Sequence, residues 1–367
     1  MHAPSLFGLV LLLSPSRAED LLLLGNSYTE FNQLDVIVAA LFDEGQGRSH
    51  SARRLTAGGL TFTGHLERVE GGASGPGPAW AEELGSEPQA HGWVLLQEQS
   101  QIPGFPDTES TWLDSRTAAV GLDAAVAAHE AQTVFFMTWG RRQGDADNPS
   151  LYPDFSTMQA RLTDGYLGYV AATSTGSRPT WVAPVGPAFA LAHEQTAADK
   201  GDPLDPSGLF WNLYDSDGSH PSPAGSYLAA CVIYATVTGD SPVGLDSRPA
   251  AVDAALAAQL QELARRTVFE ETEALDYPWE TVDTGGSTSD GGASDGATSD
   301  GGASDGGASD GGGAAEEEGK GCSHGPGGAI AALPWVVLGA LGVWRRRRGL
   351  PAEHLRGQVG IVQVDAG

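Results

Sequence analysis

The chain has 367 residues, room for one large domain with appendages, and carries 47 Asp and Glu against 20 Lys and Arg, a net charge of −27 at pH 7. That balance excludes a nucleic-acid binder, which needs a basic face. The 2 cysteines, Cys231 and Cys322, are too few for a disulfide framework.

Residues 6–13 form an apolar core too short to span a bilayer, and Ser16-Arg17-Ala18 sets small residues at the −3 and −1 positions of a cleavage site. Residues 1–18 are therefore expected to be a secretory signal cut after Ala18. No Lys or Arg precedes the apolar core, so an uncleaved N-terminal anchor is the alternative.

Leu21, Leu22, Leu23 and Leu24 follow, a run that fits a short strand buried on both faces. Gly25 breaks it, and an amphipathic pattern over residues 31–42 (Leu34, Val36, Ile37, Ala40, Leu41) predicts a helix. Ser27 thus falls in a strand-to-helix turn, where backbone N–H groups can hold a negative charge. A nucleophilic serine needs that setting, because its oxyanion intermediate must meet donors already in place. The plainer use of a serine there is as a helix cap.

Further apolar runs lie at residues 51–55, 93–96, 134–138 and 181–185, with helical patterns over 112–130 and 158–172 between them. Strand-like runs separated by helices predict an α/β fold with a parallel sheet covered on both faces. In such folds functional residues collect at the carboxyl ends of the strands. Trp139 and Arg141 follow the fourth run, where an aromatic ring and a guanidinium suit a sugar or an acidic group; Trp139 packing under a loop is the alternative. His65 follows the pair Gly58-Gly59 and is expected either to face the cleft or to lie on the surface.

Asp217-Gly218-Ser219-His220 is an Asp-x-x-His segment on the loop before a helix over residues 224–236, with Ser222 and Pro223 as its cap and first turn. At this spacing the carboxylate can reach the imidazole Nδ1 and leave Nε2 free to take a proton from a serine. Cys231, inside that apolar helix, is expected to be a buried packing residue. Gly239-Asp240-Ser241 follows a helix rather than a strand, so Ser241 is discounted as a nucleophile.

These blocks together resemble the SGNH (GDSL-like) hydrolases. Gly25-Asn26-Ser27-Tyr28 is similar to the family's Gly-Asp-Ser-x with Asn for Asp, and Asp217 to His220 fits its Asp-x-x-His. Gly58-Gly59, Val94-Leu95-Leu96-Gln97-Glu98-Gln99-Ser100, Met137-Thr138-Trp139-Gly140-Arg141, Pro184-Val185-Gly186 and Gly225-Ser226-Tyr227-Leu228 narrow the resemblance to a little-characterised branch, over about residues 20–242. The resemblance implies a three-layer α/β/α sandwich on a roughly five-stranded parallel sheet, with Ser27 as nucleophile, His220 as general base and Asp217 as its orienter. It also implies an oxyanion hole built from the Ser27 N–H, a glycine N–H at Gly58 or, preferably, Gly59, and a side-chain amide. The family's third block would supply Asn; by register Gln99 stands there, with Gln97 as the alternative. No metal or organic cofactor is implied.

A closing amphipathic helix is expected over residues 252–273, ending a hydrolase-like domain of residues 19–280. Residues 281–320, largely a Ser-Asp-Gly-Gly-Ala near-repeat, have almost no large apolar side chains and read as an acidic, self-repelling stalk. Cys322, the apolar stretch 327–344 and Arg345 to Arg348 resemble the myxobacterial C-terminal sorting tail, which implies a processing protease acting near Cys322 and an outer-face address. A plain membrane anchor is the alternative, and residues 349–367 extend past where such tails stop. The expected function is a surface-tethered esterase removing acyl (acetyl) groups from carbohydrate or small esters. A catalytically inactive binding module and an acyltransferase are the rivals.

Overall fold

Residues 21–24 have no polar face, and the chain gives them none. The computed structural model describes residues 20–71, 80, 83–84, 91–272 and 274–280. In it Asp20–Gly25 is β1, the inner strand of a fully parallel sheet with β2 (Ala52–Thr56), β3 (His91–Leu96), β4 (Gln132–Phe136) and β5 (Trp181–Ala183), in the order β2-β1-β3-β4-β5. Because side chains alternate along a strand, Leu21 and Leu23 enter one core and Leu22 and Leu24 the other. Each leucine so removed from water contributes roughly 1.5–3 kcal/mol.

Helices cover both faces. On the side of Leu21 and Leu23 lie α2 (Leu34–Gln46), α6 (Val185–Lys200), α8 (Pro223–Thr238) and α9 (Ala254–Arg266). On the side of Leu22 and Leu24 lie α3 (Phe62–Val69), α4 (Ser110–Ala128) and most of α5 (Phe155–Thr173). Helix α8 is buried along nearly its whole length, packed against α2 and α9, which accounts for its apolar residues on every side. Cys231 sits inside it as a free, buried thiol that burial pushes up from its ordinary value. Short helices α1 (Ser27–Glu30) and α7 (Leu209–Asn212) complete the set. The parallel sheet covered on both faces, expected from the alternating pattern, and the three-layer α/β/α sandwich implied by the resemblance are therefore present.

Two expectations about helices need correction. The helix after Ser27 is not one element beginning near residue 31. Helix α1 starts at Ser27 itself, with Asn26 as its cap, and α2 starts only at Leu34. Between them Asn32 and Gln33 both sit at φ 56°, a left-handed pair that costs about 1–2 kcal/mol at Gln33 and less at Asn32, whose short amide side chain tolerates that region. The apolar period alone cannot report such a kink, because both halves keep their buried faces. The closing helix is also shorter than its pattern: α9 stops at Arg266 and passes into a wider turn over Thr267–Glu271.

The described residues all fall within one compact unit, Met1–Thr281; the second unit, Val282–Gly367, lies outside them. Among the described residues no helix is long and apolar enough to cross a membrane. The expected signal and its Ala18, the stalk, Cys322 and the apolar stretch 327–344 all lie outside the described residues.

Candidate active site

Strands β1 and β3 are neighbours whose following connections leave toward opposite faces, so the strand order reverses between them, the place at the carboxyl ends where such folds hold their functional residues. Ser27 stands there, directly after β1. Asn26 makes the turn. Its Oδ1 accepts the Tyr28 N–H at 3.1 Å, capping α1, and its Nδ2 donates to Leu60 O at 3.0 Å in the connection after β2. An aspartate could cap the helix but could not donate to a carbonyl, which gives Asn at this position a reason of its own. As the first residue of a helix, Ser27 leaves its N–H free of an intrahelical partner.

The fold brings Ser27, His220 and Asp217 into one line across 193 residues of chain. The Ser27 hydroxyl donates to His220 Nε2 at 2.8 Å, and His220 Nδ1–H donates to Asp217 Oδ2 at 2.5 Å. The second Asp217 oxygen accepts the Ser219 and His220 N–H groups, both at 2.9 Å. Burial alone would raise the Asp217 carboxyl. The His220 ring and these two backbone donors outweigh it and hold the carboxyl below its ordinary value. Asp217 thus stays ionised beside a ring whose Nδ1 carries the proton, which leaves Nε2 able to accept one.

Gln97 and Gln99 part company. Gln97 is buried behind the turn, its Oε1 accepting the Asn26 N–H and the Thr29 hydroxyl, each at 2.9 Å, while its Nε2 donates to Glu98 O. It braces the Ser27 turn. Gln99 is half-buried, and its amide exchanges two bonds with Gln101, Nε2–H to Gln101 Oε1 and Oε1 from Gln101 N–H, each at 2.9 Å. One Gln99 N–H is left over from that exchange. Gly59 lies in an exposed turn closed by Leu60 N–H to Ala57 O, and its φ of +67° is what calls for glycine, since a Cβ there would meet nothing.

Neither expectation for His65 holds. The ring is fully buried: Trp80 Nε1–H donates to its Nδ1 at 2.9 Å, so its Nε2–H donates to Gly25 O at 3.0 Å. Burial drives its pKa down to about 3, so it is a neutral strut under the end of β1. Of the two expectations for Trp139, packing under a loop holds and contact with substrate does not. It is 0% exposed, stacked between Tyr28 (4.8 Å between centroids) and Phe189 (4.4 Å), with Nε1–H donating to Ser219 O at 3.1 Å. It supports the His220 loop from below and offers no face to a substrate. Arg141 does reach the surface: it pairs with buried Asp145 and lines a cavity of about 290 Å³ beside Asp217, Gly218 and Ser219, together with Gln143 and Tyr152.

Sequence reasoning passed over Glu98. Its buried carboxylate accepts the Phe62 N–H at 2.9 Å, the Gln99 N–H at 2.6 Å and the Ser115 hydroxyl, tying the start of α3 to the loop after β3. The only signal was a charged residue two positions past the apolar run 93–96. Burial pushes its pKa up to about 7 from an ordinary 4.5, against the pull of Ser115, Gln99 and Phe62. The folded chain therefore keeps this proton where the unfolded chain has lost it. The contribution is full below pH 4.5 and lost as pH rises through about 7, a swing on the order of 3 kcal/mol. Urea unfolding of wild type and Glu98→Gln at both ends of that window should show the wild type's advantage shrinking by about that amount at the alkaline end. A gap independent of pH would refute the titration.

No family model matches the chain, and no curated protein matches it. Among solved structures it is similar to a DUF4886 family protein from Bacteroides uniformis, at 17% identity and TM-score 0.53, over 68% of this chain and 95% of that one. That likeness shows the fold. It is also similar to a protein from Slackia heliotrinireducens whose name assigns it provisionally to the SGNH hydrolases (27% identity, TM-score 0.44, 59% of this chain, 97% of that one). A third is a lipase/acylhydrolase from Enterococcus faecalis (13% identity, TM-score 0.38, 60% and 96%).

Proposed function

We propose that this chain is a serine ester hydrolase of the SGNH type, tethered at the outer face of the cell. The observation that supports it best is the hydrogen-bonded line from Ser27 Oγ through His220 to Asp217 at the carboxyl end of β1. In this reading His220 Nε2 takes the Ser27 proton as Oγ attacks the ester carbonyl, then returns it to the leaving alkoxide. The imidazolium formed between these steps is stabilised by ionised Asp217. Water, activated by the same ring, releases the acyl group from Ser27. The oxyanion is held by the Ser27 N–H, the Gly59 N–H and the remaining Gln99 N–H. None of these steps calls for a metal.

The substrate class is an O-acyl group, an acetyl group foremost, on a carbohydrate or small alcohol. The cavity beside Asp217, with the Arg141 guanidinium and Asp145 on an otherwise mixed polar and apolar wall, suits a hydroxylated leaving group. Export and tethering rest on the sequence: a signal cut after Ala18, an acidic stalk, and a tail processed near Cys322 by a sorting protease or kept as an anchor. A second reading, an inactive carbohydrate-binding module, is favoured by one observation, the engagement of the Gln99 amide with Gln101. Turnover of p-nitrophenyl acetate by the full chain, with a fluorophosphonate label mapped by mass spectrometry, separates the two. The esterase reading requires turnover and a label on Ser27. No turnover, or a label on Ser241, rejects it.

A further inference from the structure

The chain is strained in a place that the triad itself does not explain. Between α1 and α2, Asn32 and Gln33 both adopt left-handed backbone conformations, and neither is glycine. Such a pair persists only where its surroundings hold it. What holds it is the loop carrying His220, from the far end of the domain sequence. Asn32 Nδ2 donates to Pro221 O at 3.0 Å and to Ser226 Oγ at 2.9 Å, so its amide grips the residue next to His220 and the first turn of α8. The residue before it, Phe31, lays its ring on the imidazole, with centroids 4.3 Å apart and planes 14° from parallel. Tyr28 meets the same imidazole edge-on at 5.5 Å.

His220 needs this support because of where its orienting carboxylate sits. Asp217 keeps 47% of its side chain exposed, and it makes one hydrogen bond to the ring. A single bond at Nδ1 leaves an imidazole free to tilt about the line joining Nδ1 to its acceptor. In acyl transfer Nε2 must face the Ser27 hydroxyl and then the leaving group without losing either, so tilt translates directly into lost rate. An aromatic face packed parallel to the imidazole blocks that motion.

We propose that the Phe31–Asn32–Gln33 kink is a positioning device for His220, in which Phe31 walls the ring and Asn32 ties its loop to the element that carries Ser27. The inference rests on the triad reading above.

The test uses the full chain and p-nitrophenyl acetate. Asn32→Gly keeps the left-handed backbone accessible and removes both amide bonds; Asn32→Asp also tolerates that backbone but cannot donate to Pro221 O. Each should lower kcat by about 10-fold to 10²-fold with KM changed less than about twofold. Phe31→Leu should do the same, and it carries the test if the Asn32 variants fail to fold. On a His220→Ala background, Asn32→Gly should leave the residual rate unchanged, because the group it acts through is gone. Wild-type kcat in Asn32→Gly and Phe31→Leu overturns the proposal. So does an equal loss from Asn32→Gly with and without His220, which would mark a general structural role. Full activity in His220→Ala defeats the triad reading and this inference with it. A normal dependence on His220 with no effect of the kink variants rejects this inference alone.

Discussion

Ser27→Ala should lower kcat for p-nitrophenyl acetate by about 10⁶-fold, to the level that binding and oxyanion donors sustain without a nucleophile. Ser27 Oγ is the hydroxyl aligned on His220 Nε2, at 2.8 Å, past the carboxyl end of an inner strand. His220→Ala should cost about as much, because serine and histidine act as one unit. Asp217→Asn should cost less than the about 10⁴-fold found where the orienting carboxylate is fully buried. Nearly half of the Asp217 side chain is open to solvent, and water can take over part of its role. Steady-state kinetics on the three variants, with circular dichroism confirming the fold, test this. Activity retained in Ser27→Ala would end the assignment, and equal losses for all three would show that solvent does not substitute at Asp217.

Trp139→Ala should cost about 3–5 kcal/mol of stability, the range for emptying a buried indole site. The side chain is fully enclosed between Tyr28 and Phe189, and those rings cannot close a gap that size without shifting the Ser27 turn or α6. The variant also strips Ser219 O of its indole donor, one residue from His220. Against a total of roughly 5–15 kcal/mol for a domain, such a loss is a large fraction. Trp139→Phe separates the two contributions: it keeps a ring in the stack and loses the N–H, and should cost about 1–3 kcal/mol through the unpaired carbonyl. Urea unfolding measures both. A Trp139→Ala variant with near-native stability and a raised KM would restore Trp139 to the substrate surface and overturn the packing assignment.

Much of the architecture was written in local pattern. Runs such as 21–24 and 134–136 are short, apolar on consecutive residues and closed by breakers, which suits a strand buried on two faces; the longer apolar run of α8 suits a buried helix. Ser222 and Pro223 announce the start of α8 by capping chemistry that depends on neighbours alone. The Asp-x-x-His spacing likewise closes within one loop, so the contact between Asp217 and His220 was legible before any fold was known. What local pattern could not contain is who meets whom across the sheet. Gln97 and Gln99 have the same chemistry two residues apart. Only the position of the β1 turn above β3 decided that Gln97 is buried as a brace while Gln99 bonds to Gln101. Local pattern leaves His65 open between cleft and surface, and Trp139 open between the cleft and packing under a loop, because nothing next to either residue in the sequence supplies its partners. Trp80 and Gly25 for the one, Tyr28, Phe189 and Ser219 for the other, came from elsewhere in the chain to bury them with their hydrogen bonds made. Strands, most helix starts and the residue types that can do acyl transfer follow from periodicity, caps and side-chain chemistry, all of which are local to the chain. Tertiary structure alone decided which of those residues share a site and which hold it up, because burial and hydrogen-bond satisfaction depend on partners tens to hundreds of residues away.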